Sequence, residues 1–168
     1  MEEYYGIRPI RHGEEVAAYE LVHRVFHAEI APLYNKEGVS TFLEFVQPEN
    51  LARLLAESME ILVADSGKTI AGMTAVREKR HISLLFVDRP FQSQGTGRRL
   101  LQAAVDFCRA SNPGLECVTV NASPNSVSFY SHVGFKAKGQ EMIKDGIRYT
   151  PMLLDRSLFD KLIKKTDR

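Results

Sequence analysis

A chain of 168 residues is the length of one compact domain, and at that size about two-thirds of the unfolded surface can be buried without a metal or disulfide staple. With 44% apolar and 26% charged residues, and 22 basic against 21 acidic side chains for a net charge of +1, it lacks the basic excess of a nucleic-acid binder. No apolar run approaches the ~20 residues of a membrane span, and Cys108 and Cys117 fit no metal-ligand spacing, so a cytoplasmic protein with both thiols free is expected.

In chain order, Tyr5–Ile10 reads as a short opening strand. From Glu14 to Ile30, apolar residues at Val16, Tyr19, Val22, Val25 and Phe26 keep the spacing of an amphipathic helix, which Pro32 ends or bends. Thr41-x-x-Glu44 forms a capping box that starts a second helix near Thr41. Pro48 then suits the first turn of a third, running through Glu57. After Met59 the texture changes. Ile61–Ala64, the turn Ser66-Gly67-Lys68 and Thr69–Val76 read as a hairpin. His81–Val87, HISLLFV, is apolar enough for a strand buried on both faces. Gly97–Ala110 is helical, with Leu100, Leu101, Ala104, Val105 and Cys108 on one side, and Asn112-Pro113-Gly114 stops it. Val118–Val120 is the core of the next strand, Pro124–His132 is helical, and two further strands lie near Phe135–Glu141 and Ile147–Leu154. From His81 to Asn121 the chain runs strand, glycine loop, helix, strand, the unit of a right-handed crossover between parallel strands. Helices first, then a hairpin, then one crossover predict a mixed α/β sheet in one domain.

The segment VDRPFQSQGTGRRL, residues 87–100, joins the buried strand to the helix. Without Cβ atoms, Gly95 and Gly97 let the backbone turn sharply and come close to a ligand. The first N–H groups of a helix lack internal partners, and with the positive end of the dipole they suit a pyrophosphate. Arg98 and Arg99 add charge there. The dinucleotide fingerprint G-x-G-x-x-G fails, because its third glycine falls on Leu100. Gly67-Lys68-Thr69 is not the end of a P-loop, since the glycine required five residues earlier is Leu62.

Gln92-Ser93-Gln94-Gly95-Thr96-Gly97 resembles the acetyl-CoA loop Q/R-x-x-G-x-G/A of the GCN5-related N-acetyltransferase (GNAT) family. Downstream, Phe129, Tyr130, Gly134 and Phe135 resemble that family's F/Y-Y-x-x-x-G-F helix, in the right order after the loop. The likeness covers roughly Ile61–Leu154. It implies a mostly antiparallel central sheet with one parallel βαβ crossover, flanked by helices. One acetyltransferase domain would span 1–168: a helical substrate-side region (1–60), an acetyl-CoA-binding core (61–154) and a tail (155–168). It further implies that Leu85, Phe86 and Val87 hydrogen-bond the pantetheine arm and that Ser93–Arg98 cradle the pyrophosphate. The crossover strands should splay to admit the thioester. An amide of Phe86 or Val87 would face the oxygen on which negative charge grows. Tyr130 would be the general acid for the departing thiolate, a phenol with pKa about 10 being able to donate.

The sequence also departs from the family. Many relatives place an asparagine seven residues before the tyrosine, where this chain has Ser123; Asn121 and Asn125 stand nearby and substitute for it or merely cap the turn. The position of a glutamate base in some relatives is Val118. His81, eleven residues before Gln92, falls where some protein-lysine acetylating relatives carry a base, and an imidazole titrates near neutrality. Its alternative is a strand-end histidine bonded to a neighbour. Glu78, Asp88 and a water chain are further candidates. His23 and His27 have helical metal spacing but no third ligand, so no metal is expected.

Two functions follow. One is direct transfer of acetyl from acetyl-CoA to a primary amine, small-molecule or peptide, in a ternary complex. The other is a CoA-binding regulatory protein that keeps the fold without the chemistry. Tyr34, Glu37, Phe42, Glu44 and Phe45 are expected to wall the acceptor site, and a homodimer is possible on family grounds.

Overall fold

In a computed structural model, residues 6–162 are described. Strand β1 (Gly6–Pro9) leads into helix α1 (Glu15–Glu29), a 3-10 turn at Ala31–Leu33, α2 (Lys36–Phe45) and α3 (Pro48–Glu57). Then come β2 (Met59–Asp65), β3 (Ile70–Arg77), β4 (His81–Val87), α4 (Thr96–Ser111), β5 (Cys117–Ala122), α5 (Val127–Val133), β6 (Lys136–Ala137), β7 (Met142–Lys144) and β8 (Ile147–Asp155). The sheet order is β1-β2-β3-β4-β5-β8-β6, with β7 pairing β8. Every pairing is antiparallel except β4 with β5. This is the mixed, mostly antiparallel sheet with one crossover that the motifs imply. No helix among the described residues is long and apolar enough to cross a membrane.

The sheet buries both faces. On one side α1–α3 cover Ile61, Val63, Met73, Leu84 and Phe86 with Leu21, Phe26 and Leu51. On the other, Leu101, Val105 and Cys108 of α4 meet Val118, Val120, Met152 and Leu154. Cys108 is a core side chain, its thiol pushed up to about 12 by burial.

Four expectations need correcting. The second helix starts at Lys36, not near Thr41: the Asn35 side chain accepts from Gly38 N–H at 2.8 Å, so Asn35 is the cap. Thr41 is inside the helix, its hydroxyl donating to Asp145 O at 2.8 Å. The strand expected over Phe135–Glu141 is reduced to Lys136–Ala137, with a separate β7 further on, and the helix expected from Pro124 begins at Val127. Nor is β4 buried on both faces. Ile82, Leu84 and Phe86 are buried, while His81, Ser83, Leu85 and Val87 are half-buried. Tyr5 of the opening strand and residues 163–168 of the tail lie outside the described residues.

One irregularity in β4 sets up the site. The register with β3 pairs Val76 with Ile82 but Ala75 with Leu84, leaving Ser83 as an extra residue. Such a bulge bends the strand and re-aims its side chains. Ile82 and Leu84, two apart, would normally share a face. Here Ile82 packs on the α4 side and Leu84 on the α1 side.

Candidate active site

Strands β4 and β5 pair at only two positions, His81 with Thr119 and Ile82 with Val120. Beyond the bulge, residues 83–87 of β4 have no registered partner on β5. A cavity of about 520 Å³ occupies this gap, within the usual size range of small-ligand sites. Its wall includes His81, Leu85, Phe86, Val87, Gln92, Asn121, Ser123, Asn125 and Tyr130, bringing together nine of the residues singled out in the sequence. Ser93–Arg98 lie outside this cavity, on the loop that leaves it after Gln92.

That loop has the form of an anion cradle. Ser93 and Gly95 have φ of 63° and 82°, left-handed backbone that a serine rarely adopts and a glycine tolerates. The Arg99 N–H bonds back to Gly95 O, so those of Thr96, Gly97 and Arg98 precede any acceptor within α4. A Cβ on Gly97 would meet only Phe129 and Val87 at 3.7 Å, an ordinary contact. The protein's own packing therefore does not demand a glycine there. Arg98 Nη1 is buried with no hydrogen-bond partner among the described residues. A buried guanidinium nitrogen without an acceptor is costly unless something anionic reaches it. The residues fit a phosphate group.

Gln92 is a strut. Its Nε2 donates to Val87 O at 3.0 Å and to Glu29 Oε1 at 2.9 Å, tying the end of β4 to the end of α1. The turn after β5 is knit by short bonds: Ser123 Oγ donates to Asn125 Oδ1 at 2.7 Å and lies 2.9 Å from Ser126 Oγ. Tyr130 is buried, its ring edge-on to Phe129 and Phe135 at 5.2 Å between centroids. Burial pushes its phenol above the ordinary 10. It therefore carries its proton throughout the physiological range.

His81 Nδ1 lies 2.8 Å from Thr119 Oγ1 across the parallel pair. Burial, reinforced by the charge of Arg77, lowers its pKa to about 4. The ring is neutral at physiological pH rather than titrating near neutrality. Of the other acid–base candidates, Glu78 is exposed in the β3–β4 turn and Asp88 accepts from Arg24 at 2.9 Å; neither lines the cavity. Val118 is wholly buried in the core. The rings of His23 and His27 meet edge to face, with centroids 4.4 Å apart, and no group of three or more metal-ligating side chains occurs among the described residues.

The opposite wall combines Tyr34, Phe42 and Phe45, as expected, with residues the sequence reading missed: Glu29, Thr41, Lys144, Asp145, Ile147 and Tyr149. Glu37 and Glu44 do not line it. The β7–β8 hairpin delivers four of the missed residues. Asp145 and Gly146 both have positive φ, the Asp-Gly signal of a tight hairpin turn. That signal was visible in the sequence; its docking on α2 was not.

These features agree with what comparison shows. The family model for the acetyltransferase (GNAT) domain matches residues 30–156. The chain is 26% identical over 137 residues to the peptidyl-lysine N-acetyltransferase YjaB of Salmonella typhimurium, covering 82% of this chain and 79% of that one. A GCN5-related N-acetyltransferase structure from Rhodopseudomonas palustris superposes with TM-score 0.74 at 19% identity, over 92% of this chain and 98% of the other. The PaiA N-acetyltransferase of Thermoplasma acidophilum, solved with coenzyme A, gives 0.73 at 18% identity, over 90% and 99%. The chain belongs to the GNAT acetyltransferase family, and it is an acyltransferase.

Proposed function

We propose that the protein transfers an acetyl group from acetyl-CoA to a primary amine by direct attack in a ternary complex. The observation that carries this reading is the two-residue pairing of β4 with β5, which leaves a cavity in the gap with Tyr130 on its wall. When bound, acetyl-CoA supplies an acyl group activated as a thioester. The amides of Thr96, Gly97 and Arg98, with the Arg98 guanidinium, would hold its phosphates. The unpaired edge of β4 from Leu85 to Val87 would hydrogen-bond the pantetheine arm, and the Phe86 or Val87 amide would face developing negative charge. Asn121, Ser123 and Asn125 would line the far side of the slot.

Tyr130 would give its phenolic proton to the departing sulfur. Its raised pKa keeps that proton available, and a positioned general acid contributes typically ~10²–10⁴-fold. His81 suits a different task from the one its position implies. With a pKa near 4 it cannot store a proton taken from an alkylammonium, whose own value is about 10. It would hold Thr119 across the parallel pair, and a water chain would carry the amine's proton to solvent. The Salmonella relative is named for peptidyl-lysine, and a primary amine on an alkyl stem is the acceptor chemistry inferred here. Free-thiol release from acetyl-CoA, followed across a panel of primary amines and lysine peptides, tests the reading. Release that depends on both amine and Tyr130 supports it. Tight CoA binding with no release for any amine would instead favour the non-catalytic regulatory protein.

A further inference from the structure

Of the acidic side chains weighed from the sequence as acid–base or acceptor-wall residues, none reaches the cavity; the carboxylates on its wall belong to Glu29 and Asp145. Glu29 is the last residue of α1 and is half-buried between Val25 and Ile30, themselves buried and on the same wall. No ion pair joins it to a cation among the described residues, and Gln92 donates to its Oε1. The same Gln92 amide reaches Val87 O, which places Glu29 at the end of β4 opposite to His81 and Arg77. The six-residue span from His81 to Val87 corresponds to about 20 Å of strand. On the cavity wall, Glu29 stands at one end of the strand and Arg77 at the other.

From this placement we infer that Glu29 is the recognition site for the cationic nitrogen of the acceptor, and that Gln92 positions it there while bonding the end of β4. The inference rests on the acetyltransfer reading and names the acceptor as an alkylammonium. Asp145 is not equivalent. It sits in the hairpin turn next to Lys144, is exposed, and its backbone carbonyl is already engaged by Thr41. Gln92 accordingly has two roles: it begins the phosphate loop, and it fixes the carboxylate facing the acceptor.

The discriminating variant is Glu29→Gln, which keeps the shape and an amide oxygen to accept from Gln92 but removes the charge. With the best alkylamine of the panel, its acceptor KM should rise about tenfold or more, as expected for losing a charge-assisted contact, with kcat and the KM for acetyl-CoA nearly unchanged. With an arylamine, which is uncharged at the assay pH, the variant should match the wild type. Equal losses with both amines, or no change with either, would overturn the assignment. Glu29→Asp, which restores charge on a shorter arm, should recover part of the alkylamine affinity. Calorimetric titration of the CoA-saturated protein with butylamine and with butanol gives a readout independent of turnover. Charge-selective binding that Glu29→Gln abolishes supports the carboxylate's role even if no thiol is released, in which case only the acetyltransfer reading falls. Equal binding of butylamine by wild type and variant overturns it.

Discussion

Between His81 and Asn121 one unbroken stretch of chain supplies strand, loop, helix and return strand, whereas the facing wall is drawn from residues far apart in sequence. Tyr34 donates to Arg148 O at 3.2 Å across 114 positions, Arg148 Nη1 to Leu33 O at 2.9 Å across 115, and Thr41 to Asp145 O across 104. Where α2 meets the β7–β8 turn the backbones of Gly38 and Gly146 touch, and a Cβ on either would overlap the other residue's main chain. The side built from β4, the glycine loop and α4 is thus written locally, in glycines, helix start and apolar run. The facing wall exists only once the hairpin has docked on α2. One half can therefore keep its binding geometry while the other changes, which would let related chains share a cosubstrate and differ in amine.

The sharpest test of the division lies at the junction. Tyr130→Phe should reduce kcat about 10²-fold or more while leaving acetyl-CoA affinity nearly intact, measured by steady-state thiol release and by calorimetry. Full activity in that variant across the alkaline range would remove Tyr130 from the mechanism. Next in size, Arg98→Met should weaken CoA binding about tenfold or more and leave acceptor affinity unaltered, since its Nη1 has no hydrogen-bond partner among the described residues to lose. If acceptor and cofactor affinities fell together, the two halves would not be separable.

Gly38→Ala probes the other side. It should lower stability by about 1–3 kcal/mol in urea unfolding, because the backbone contact with Gly146 must open. It should also raise the acceptor KM several-fold, with little change in CoA affinity. An effect confined to acid pH, and absent at neutrality, is expected at His81. Its folded pKa of about 4 lies below the ordinary 6.5, so the unfolded chain binds more protons between those values. That contribution to stability is complete above pH 6.5 and is lost as pH falls toward 4. His81→Gln should flatten this part of the stability–pH curve, as read by thermal melts at each pH.

The same contrast explains what the sequence disclosed. His81–Val87 and Pro48–Glu57 have the bounds expected of them, because a continuous apolar run and a first-turn proline are local signals. The glycine loop before α4 and the place of Tyr130 on a helix were likewise readable from adjacent residues. α2 was misplaced because Gly38 weakens the helical pattern just after its true cap, Asn35, while Thr41-x-x-Glu44 offers a competing one. The reason for a glycine there is Gly146, more than a hundred residues away. The bulge at Ser83 was hidden because the alternation of exposure along β4 runs straight through it. Glu29 went unnoticed as one acid among several on an amphipathic helix; only Gln92 and the cavity distinguish it.

The central claim is that a CoA ester lies in the gap between β4 and β5 with its phosphates on the start of α4. Amide hydrogen exchange with and without CoA tests it most directly. The account predicts coordinated protection of residues 85–87 and 93–98, lost in Arg98→Met at concentrations that saturate the wild type. CoA binding that leaves both segments exchanging at their unliganded rates would contradict it.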